Sequence, residues 1–208
     1  HIKTGGEIGA LLKEAALVKK LQPTHNRQLR RNNELCSIQL NEVSEGLRVH
    51  VAYANELDFA TTSNLYGLFK SKREALKALT EIAEELNLCK AIIGLEKVKS
   101  GSPCFGRQLK KCRGACIGDE ARLAHDTRLL AGLGKLKIRT WPFDGPAYLK
   151  EGEEMLLIEN WAYLGCARSE EDIWKLMDGR DACFDKDTYK ILLATIGRLQ
   201  PLRITGDS

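Results

Sequence analysis

Four cysteines, Cys89, Cys104, Cys112 and Cys116, stand at the spacing C-x14-C-x7-C-x3-C, and two of them lie inside the basic run Arg107-Gln-Leu-Lys-Lys-Cys-Arg-Gly-Ala-Cys116. No other feature constrains the fold as tightly, because four thiolates gathered on one centre would pin the whole segment from 89 to 116. Soft thiolate ligands select zinc or an iron–sulfur cluster, and a shell of four suits either. The competing reading is a scatter of small core residues, since free cysteine is among the most buried residue types and C-x7-C is not a standard zinc-knuckle interval. Seven cysteines in all are an odd number, so at least one stays outside any intramolecular disulfide, and in a reducing compartment metal or catalytic use outranks a disulfide framework. A metal knot wrapped in lysine and arginine points toward nucleic acid.

The 208 residues, 43% of them hydrophobic, can bury a sizeable core in one or two small domains. No apolar run reaches membrane-spanning length and the first residues lack a signal-peptide pattern, so the reading is of a soluble cytoplasmic protein with no membrane role. The net charge of +4 conceals an asymmetry. Residues 1–31 carry seven Lys/Arg against Glu7 and Glu14, and residues 90–114 carry seven against Glu96 alone. Both are candidate phosphate contacts, with short solvated faces as the commoner alternative for such runs. From 151 to 188 the balance reverses to eleven acidic residues against Arg168, Lys175, Arg180 and Lys186, so that stretch would be repelled by a polyanion.

Periodicity predicts an α+β fold without repeats. A helix is expected from Glu7 to Leu21, stopping before Pro23. A β-hairpin is expected from Cys36-Ser-Ile-Gln-Leu and Leu47-Arg-Val-His-Val-Ala-Tyr around Ser44-Glu-Gly46. Ser71-Lys-Arg-Glu74 reads as a capping box opening a helix whose apolar face is Ala75, Leu76, Leu79, Ile82, Ala83 and Leu86. Beyond the cysteines, 119–133 reads as a helix, 136–142 and 154–164 as strands, and 170–178 and 186–199 as helices.

The first helix contains a charged residue out of place. At about 100° per residue, Leu17, Ala10, Leu21, Val18, Leu11, Ala15, Ile8 and Leu12 fill one broad arc, and Glu14 projects within it. A carboxylate pushed against packed side chains needs a partner. It is expected either to ligate a hard divalent ion such as Mg2+ or Mn2+ or to pair with an arginine, Arg27 or Arg30.

The stretch Thr4-Gly-Gly-Glu-Ile-Gly-Ala-Leu-Leu-Lys-Glu14 through Pro23-Thr-His-Asn26-Arg-Gln-Leu-Arg-Arg31 resembles the C-terminal half of a GIY-YIG nuclease domain. With the cysteine segment, Asn64-Leu-Tyr-Gly-Leu-Phe69, Leu88-Cys-Lys-Ala-Ile-Ile-Gly-Leu-Glu96, Trp141-Pro-Phe and Phe184-Asp-Lys-Asp-Thr-Tyr-Lys-Ile-Leu192, nearly the whole chain is similar to the UvrC-type excinuclease family, on its short Cho-type branch. The resemblance implies a truncated GIY-YIG-type half-domain over 1–33, a hairpin, helix and four-cysteine region over 34–133, and a small α+β region over 134–208. The strands bearing the GIY and YIG motifs are expected upstream of His1.

By that resemblance, Glu14 falls on the family's metal-binding glutamate and Asn26 on its active-site asparagine. It implies a [4Fe–4S] cluster on Cys89, Cys104, Cys112 and Cys116, with Zn2+ as the alternative. Cys36, Cys166 and Cys183 have no such match and read as core thiols. His25, His50 and His125 read as structural or phosphate-facing, because four thiolates complete a shell. The implied reaction is metal-dependent 3′-side incision of damaged double-stranded DNA in nucleotide excision repair, after UvrA and UvrB have located the lesion. Lys13, Lys19, Lys20, Arg27, Arg30 and Arg31, together with Lys110, Lys111 and Arg113, are the expected sequence-independent backbone contacts. The rival expectation is a noncatalytic iron–sulfur DNA-binding or docking module.

Overall fold

The computed structural model describes residues 4–21, 35–99, 101–179 and 183–203. These fall into two compact units, one drawn from His1–Asn32, Asp58–Thr61 and Arg139–Ser208, the other from Asn33–Leu57 and Thr62–Ile138. Both are α+β, each built on its own small antiparallel sheet.

In the unit that carries the four-cysteine segment, β1 (Cys36–Val43) and β2 (Gly46–Tyr53) form the expected hairpin, in register from Cys36 opposite Tyr53 to Val43 opposite Gly46. The turn needs glycine: Gly46 has φ +118, and a Cβ there would lie 2.4 Å from an Asp126 carboxylate oxygen. β3 (Leu65–Phe69) pairs with the other edge of β1. Helix α2 (Lys72–Glu85) begins at Ser71, whose hydroxyl accepts from the Glu74 N–H, while the Glu74 carboxylate reaches back to the Lys70 N–H instead of Ser71. With α4 (Arg122–Leu133) it covers the sheet. The core is Ile38, Leu40, Tyr66, Phe69, Ala75, Leu79, Ala83, Leu129 and Leu133, the apolar stripes of two helices closing on the inward face of three strands.

The other unit has a four-stranded sheet in the order β6-β5-β4-β7, from β4 (Ala147–Glu151), β5 (Glu154–Glu159), β6 (Ala162–Ala167) and β7 (Gln200–Pro201). It also holds α1 (Glu7–Leu21), α5 (Glu170–Asp178) and α6 (Lys186–Ala194). The expected strand 154–164 is in fact the β5–β6 hairpin, turning at Asn160 and Trp161, both with positive φ. Trp161 carries no turn signal; its ring is fully buried against Trp141 and Tyr189, at 5.3 and 5.0 Å between centroids, and that burial holds the left-handed backbone. The expected strand 136–142 is a 3-10 turn followed by a single bridge between Lys137 and Tyr66. The expected helix 186–199 ends at Ala194 and finishes as a separate 3-10 turn.

The first and last segments, separate regions in the sequence reading, share one unit because the hairpin between β4 and β5 caps α1. The Glu151 carboxylate accepts from the backbone N–H of Ile8 (3.2 Å) and Gly9 (2.7 Å), and Glu154 accepts from Gly5 (2.9 Å). The Ile8 and Gly9 N–H groups are orphan donors of the helix N-terminus, where negative charge is also favoured by the helix dipole, and Gly5 lies just before it. Glycine permits the approach, since a Cβ on Gly6 would lie 2.5 Å from the Glu151 carboxyl carbon. Arg168 closes over Glu154 at 2.6 Å.

Candidate metal and nucleic-acid site

The cysteine knot is assembled by short turns, each set by its own residues. Asn87, with φ +50, ends α2, and the Leu88 N–H returns to the Ala83 carbonyl, delivering Cys89 to the interior. Cys104 caps the four-residue helix α3 (Phe105–Gln108), whose first N–H is taken by the Glu96 carboxylate at 2.8 Å. The Lys111 N–H then donates to the Gly106 carbonyl at 2.7 Å and folds the basic run back beneath α3. Gly114 and Gly118, both left-handed, bracket the 3-10 turn Ala115–Ile117 that carries Cys116.

All four sulfurs converge. Cys89 and Cys104 are 3.7 Å apart, Cys104 and Cys112 3.5 Å, and the sulfurs of Cys89, Cys104 and Cys116 lie within 4.8 Å of one another. Three of these residues are buried and Cys116 is half-buried. Burial pushes the Cys104 thiol up to about 11 and raises Cys112 as well, so these sulfurs release their protons readily only to a cation that takes their place. The set fits a thiolate-bound metal. A tetrahedral ion with bonds of about 2.3 Å holds its sulfurs roughly 3.8 Å apart, close to the observed spacing. A cubane cluster, binding each thiolate through a different iron, would need the sulfurs further apart than the 3.5 and 3.7 Å found here.

Behind the thiols lies a network that the spacing of cysteines does not reveal. The Cys89 N–H donates to His125 Nε2 at 3.1 Å, so the ring proton sits on Nδ1, which donates to Asp126 at 2.9 Å. Asp126 also accepts from Arg122 and from the Leu47 N–H. Burial pushes the Asp126 carboxyl up, but the bonds from His125, Leu47 and Arg122 together hold it below the usual carboxylate range. His125 is thus structural, fully buried beneath Cys89. The one legible signal was Arg122 and Asp126 at i and i+4. Arg128, bonded to Glu120 and to the carbonyls of Leu86 and Asn87, braces the approach to Cys89 from the same helix.

Lys110, Lys111 and Arg113 are exposed around this knot, as are Lys97 and Lys99. Among the described residues no ion pair engages any of the five, whereas Arg107 is tied to Asp119 and Lys90 to Glu84. Lys110 holds φ +58, a left-handed conformation that costs a lysine and not a glycine.

Helix α1 corrects two expectations. Its packed side centres on Gly9 and Leu12, and Glu14, roughly 160° round the helix from Leu12 at 100° per residue, is exposed rather than pushed into a core. The docking of the N-terminus on Glu151 and Glu154 fixes that rotation, leaving Leu11, Val18 and Leu21 exposed as well. Glu14 borders a groove of about 270 Å³ shared with Leu11, Ala15, Val18, Lys19, Asp185, Asp187 and Ile191. No cation among the described residues pairs with it. Lys19 is held by the buried Asp185, which also caps α6 through the N–H groups of Asp187 and Thr188; Lys13 is half-buried and Lys20 exposed. Asn26, Arg27, Arg30, Arg31 and His25 lie outside the described residues. His50 is exposed. Of the three remaining cysteines, Cys36 is a core thiol as expected, Cys166 is half-buried, and Cys183 is exposed instead of buried, because it precedes the α6 cap on the unit's surface.

Residues 27–134 match the family model described as the UvrC/Cho excinuclease middle domain, and residues 146–206 match the excinuclease Cho C-terminal domain. Among curated proteins, the chain is 46% identical over 195 residues to the excinuclease Cho of Shigella flexneri and to that of Escherichia coli strain K12, and 44% identical over 195 residues to that of Salmonella typhi. In each case 92% of the chain aligns, and it spans 64–65% of the relative's length. No solved structure matches. No helix among the described residues is long and apolar enough to cross a membrane.

Proposed function

The chain belongs to the UvrC/Cho excinuclease family, and from that premise we propose that it is the larger part of a DNA endonuclease of nucleotide excision repair that makes the 3′-side incision in damaged DNA. The observation that carries this reading is the knot itself: four converging thiols inside a loop whose exposed Lys97, Lys99, Lys110, Lys111 and Arg113 form no ion pair among the described residues. Such a loop offers phosphate contacts without base readout, which suits a nuclease that must act on damage in any sequence.

Glu14 is the metal-binding residue of this proposal, and its exposure beside the α6 groove favours it. A surface carboxylate with no described cation can give one ligand to Mg2+ or Mn2+, whose shell is otherwise filled by water and substrate phosphate. When bound, the ion supplies Lewis-acid polarisation of the scissile phosphate. The chain's own part is to hold Glu14 at a fixed place, which it does by clamping the N-terminus of α1 with Glu151 and Glu154. Asn26 is the proposed second active-site residue, and UvrB-bound damaged DNA the proposed substrate assembly.

The thiols are proposed to carry a [4Fe–4S] cluster, as the resemblance implies. Zinc is the second reading, favoured by sulfur separations of 3.5 and 3.7 Å. Iron with acid-labile sulfide in anaerobically purified protein supports the first; stoichiometric zinc without sulfide supports the second.

In the longer protein that includes the remaining nuclease half, Glu14→Gln should lower incision by orders of magnitude while DNA binding and the unfolding midpoint stay within error. Because Glu14 is exposed, a purely structural role predicts normal incision by the variant, and that result would remove its metal role.

A further inference from the structure

Phe105 and Leu109 stand on one turn, the Leu109 N–H donating to the Phe105 carbonyl at 3.1 Å, and both are exposed, at 62% and 50%. Single exposed apolar residues need no explanation. This pair has an unusual setting. It projects from a turn whose cap is Cys104, so the ring stands one residue from the knot, and the knot fixes its backbone. The chain then folds back under it through the Lys111 N–H to Gly106 bond, placing Lys110, Lys111 and Arg113 directly after the ring. Glu96, which holds the Phe105 N–H, is flanked by Lys97 and Lys99.

The other aromatic among the exposed large hydrophobics, Trp174, sits on α5 among Glu170, Glu171, Asp172 and Asp178, where a polyanion would be repelled. Charge therefore separates the two exposed rings. An exposed aromatic face in a turn followed closely by exposed cations is the kind of arrangement that holds single-stranded nucleic acid: phosphates are gripped by charge, and an unpaired base stacks on the ring whatever its identity. Val98 and Ile117 are also exposed in this segment, but four apolar side chains fall short of the roughly 800 Å² per partner of an ordinary protein interface.

We propose that Phe105, supported by Leu109, is a stacking platform for an unpaired base in DNA whose phosphates are held by Lys110, Lys111 and Arg113. The proposal rests on the reading of this loop as a DNA-binding surface and adds a structure preference to it: DNA with unpaired bases is bound in preference to intact duplex, independent of sequence.

The test uses the chain with two DNAs of equal length, a perfect duplex and one with a three-nucleotide mismatched bubble carrying 2-aminopurine. Wild-type protein should quench the 2-aminopurine on binding. Phe105→Ala should abolish the quenching and weaken bubble binding on the order of tenfold, with duplex binding changed less than about twofold; Phe105→Trp should restore both. The side chain is mostly exposed, so the unfolding midpoint should not move. Undiminished bubble binding and quenching by Phe105→Ala would overturn the proposal, as would equal weakening on both DNAs. Gln at Lys110, Lys111 and Arg113 together separates the two levels. If it weakens both DNAs while Phe105→Ala changes nothing, only the platform is lost; if it changes neither, the DNA-binding reading of the loop fails with it.

Discussion

Two basic segments of similar composition reach opposite arrangements. The described part of the first, α1, docks its N-terminus on two buried carboxylates and ties Lys19 to a third, Asp185. The cysteine loop turns its interior over to four sulfurs and leaves Lys97, Lys99, Lys110, Lys111 and Arg113 without ion pairs among the described residues. Basic residues in the two segments thus mean different things one by one: Lys19 is absorbed by a buried carboxylate, while in the loop Lys90 and Arg107 are paired and the other five cations are displayed. A count of basic residues could not separate these cases, because Asp185, which neutralises Lys19, lies 166 residues away in sequence.

The largest effect expected from this contrast is on stability. The thiols form the interior of this loop of short turns, so Cys104→Ser, or a chelator that strips a metal bound there, should unfold the segment from 89 to 118. The loss should be several kcal/mol, as for structural metal sites. Hydrogen exchange would show protection lost there and retained in β4, β5 and α1. Equal protection with and without metal would mean that packing alone holds the knot.

The N-terminus of α1 is the counterpart. Glu151→Ala removes two backbone hydrogen bonds and leaves buried donors without a partner, and should cost about 2 kcal/mol, read as a lower midpoint in urea. A change below about 0.5 kcal/mol would show that the hairpin does not anchor α1.

Glu154 adds a pH signature. The Gly5 N–H first, then Arg168, hold its carboxyl below its ordinary value of 4.5. A carboxylate depressed in the folded state stabilises the fold above its ordinary value, and that contribution disappears as pH falls through the depressed one. Stability should therefore decline more gently in acid for Glu154→Gln than for the parent chain. Parallel curves below pH 4.5 would contradict the anchoring role.

How much of this was legible in the sequence depends on how local each cause is. The bounds of α1, the β1–β2 hairpin and the start of α2 follow from periodicity and from Gly46 and Ser71, all of which act within a few residues. The four-cysteine convergence was legible for a different reason, since thiol chemistry restricts what such spacing can do. The rotation of α1 was not: the apolar arc placed Glu14 inward, but long-range capping by Glu151 and Glu154 decides which side is buried. Trp161 hid a hairpin turn because an aromatic at positive φ is held only by tertiary packing. His125, Asp126 and Arg122 were invisible as a brace for Cys89, since nothing in their order announces a bond to a residue 36 positions away.

The central claim is that the loop's cations face DNA while Lys19 belongs to the protein. The most direct measurement is the dependence of duplex affinity on salt, as the slope of log K against log salt concentration. Each phosphate contact contributes about 0.9 to that slope. Gln at Lys110, Lys111 and Arg113 together should flatten it by about 2–3, with affinity reduced alike for unrelated sequences, whereas Lys19→Gln should leave it essentially unchanged. An unchanged slope in the triple variant, or the same loss per residue from Lys19, would contradict the account.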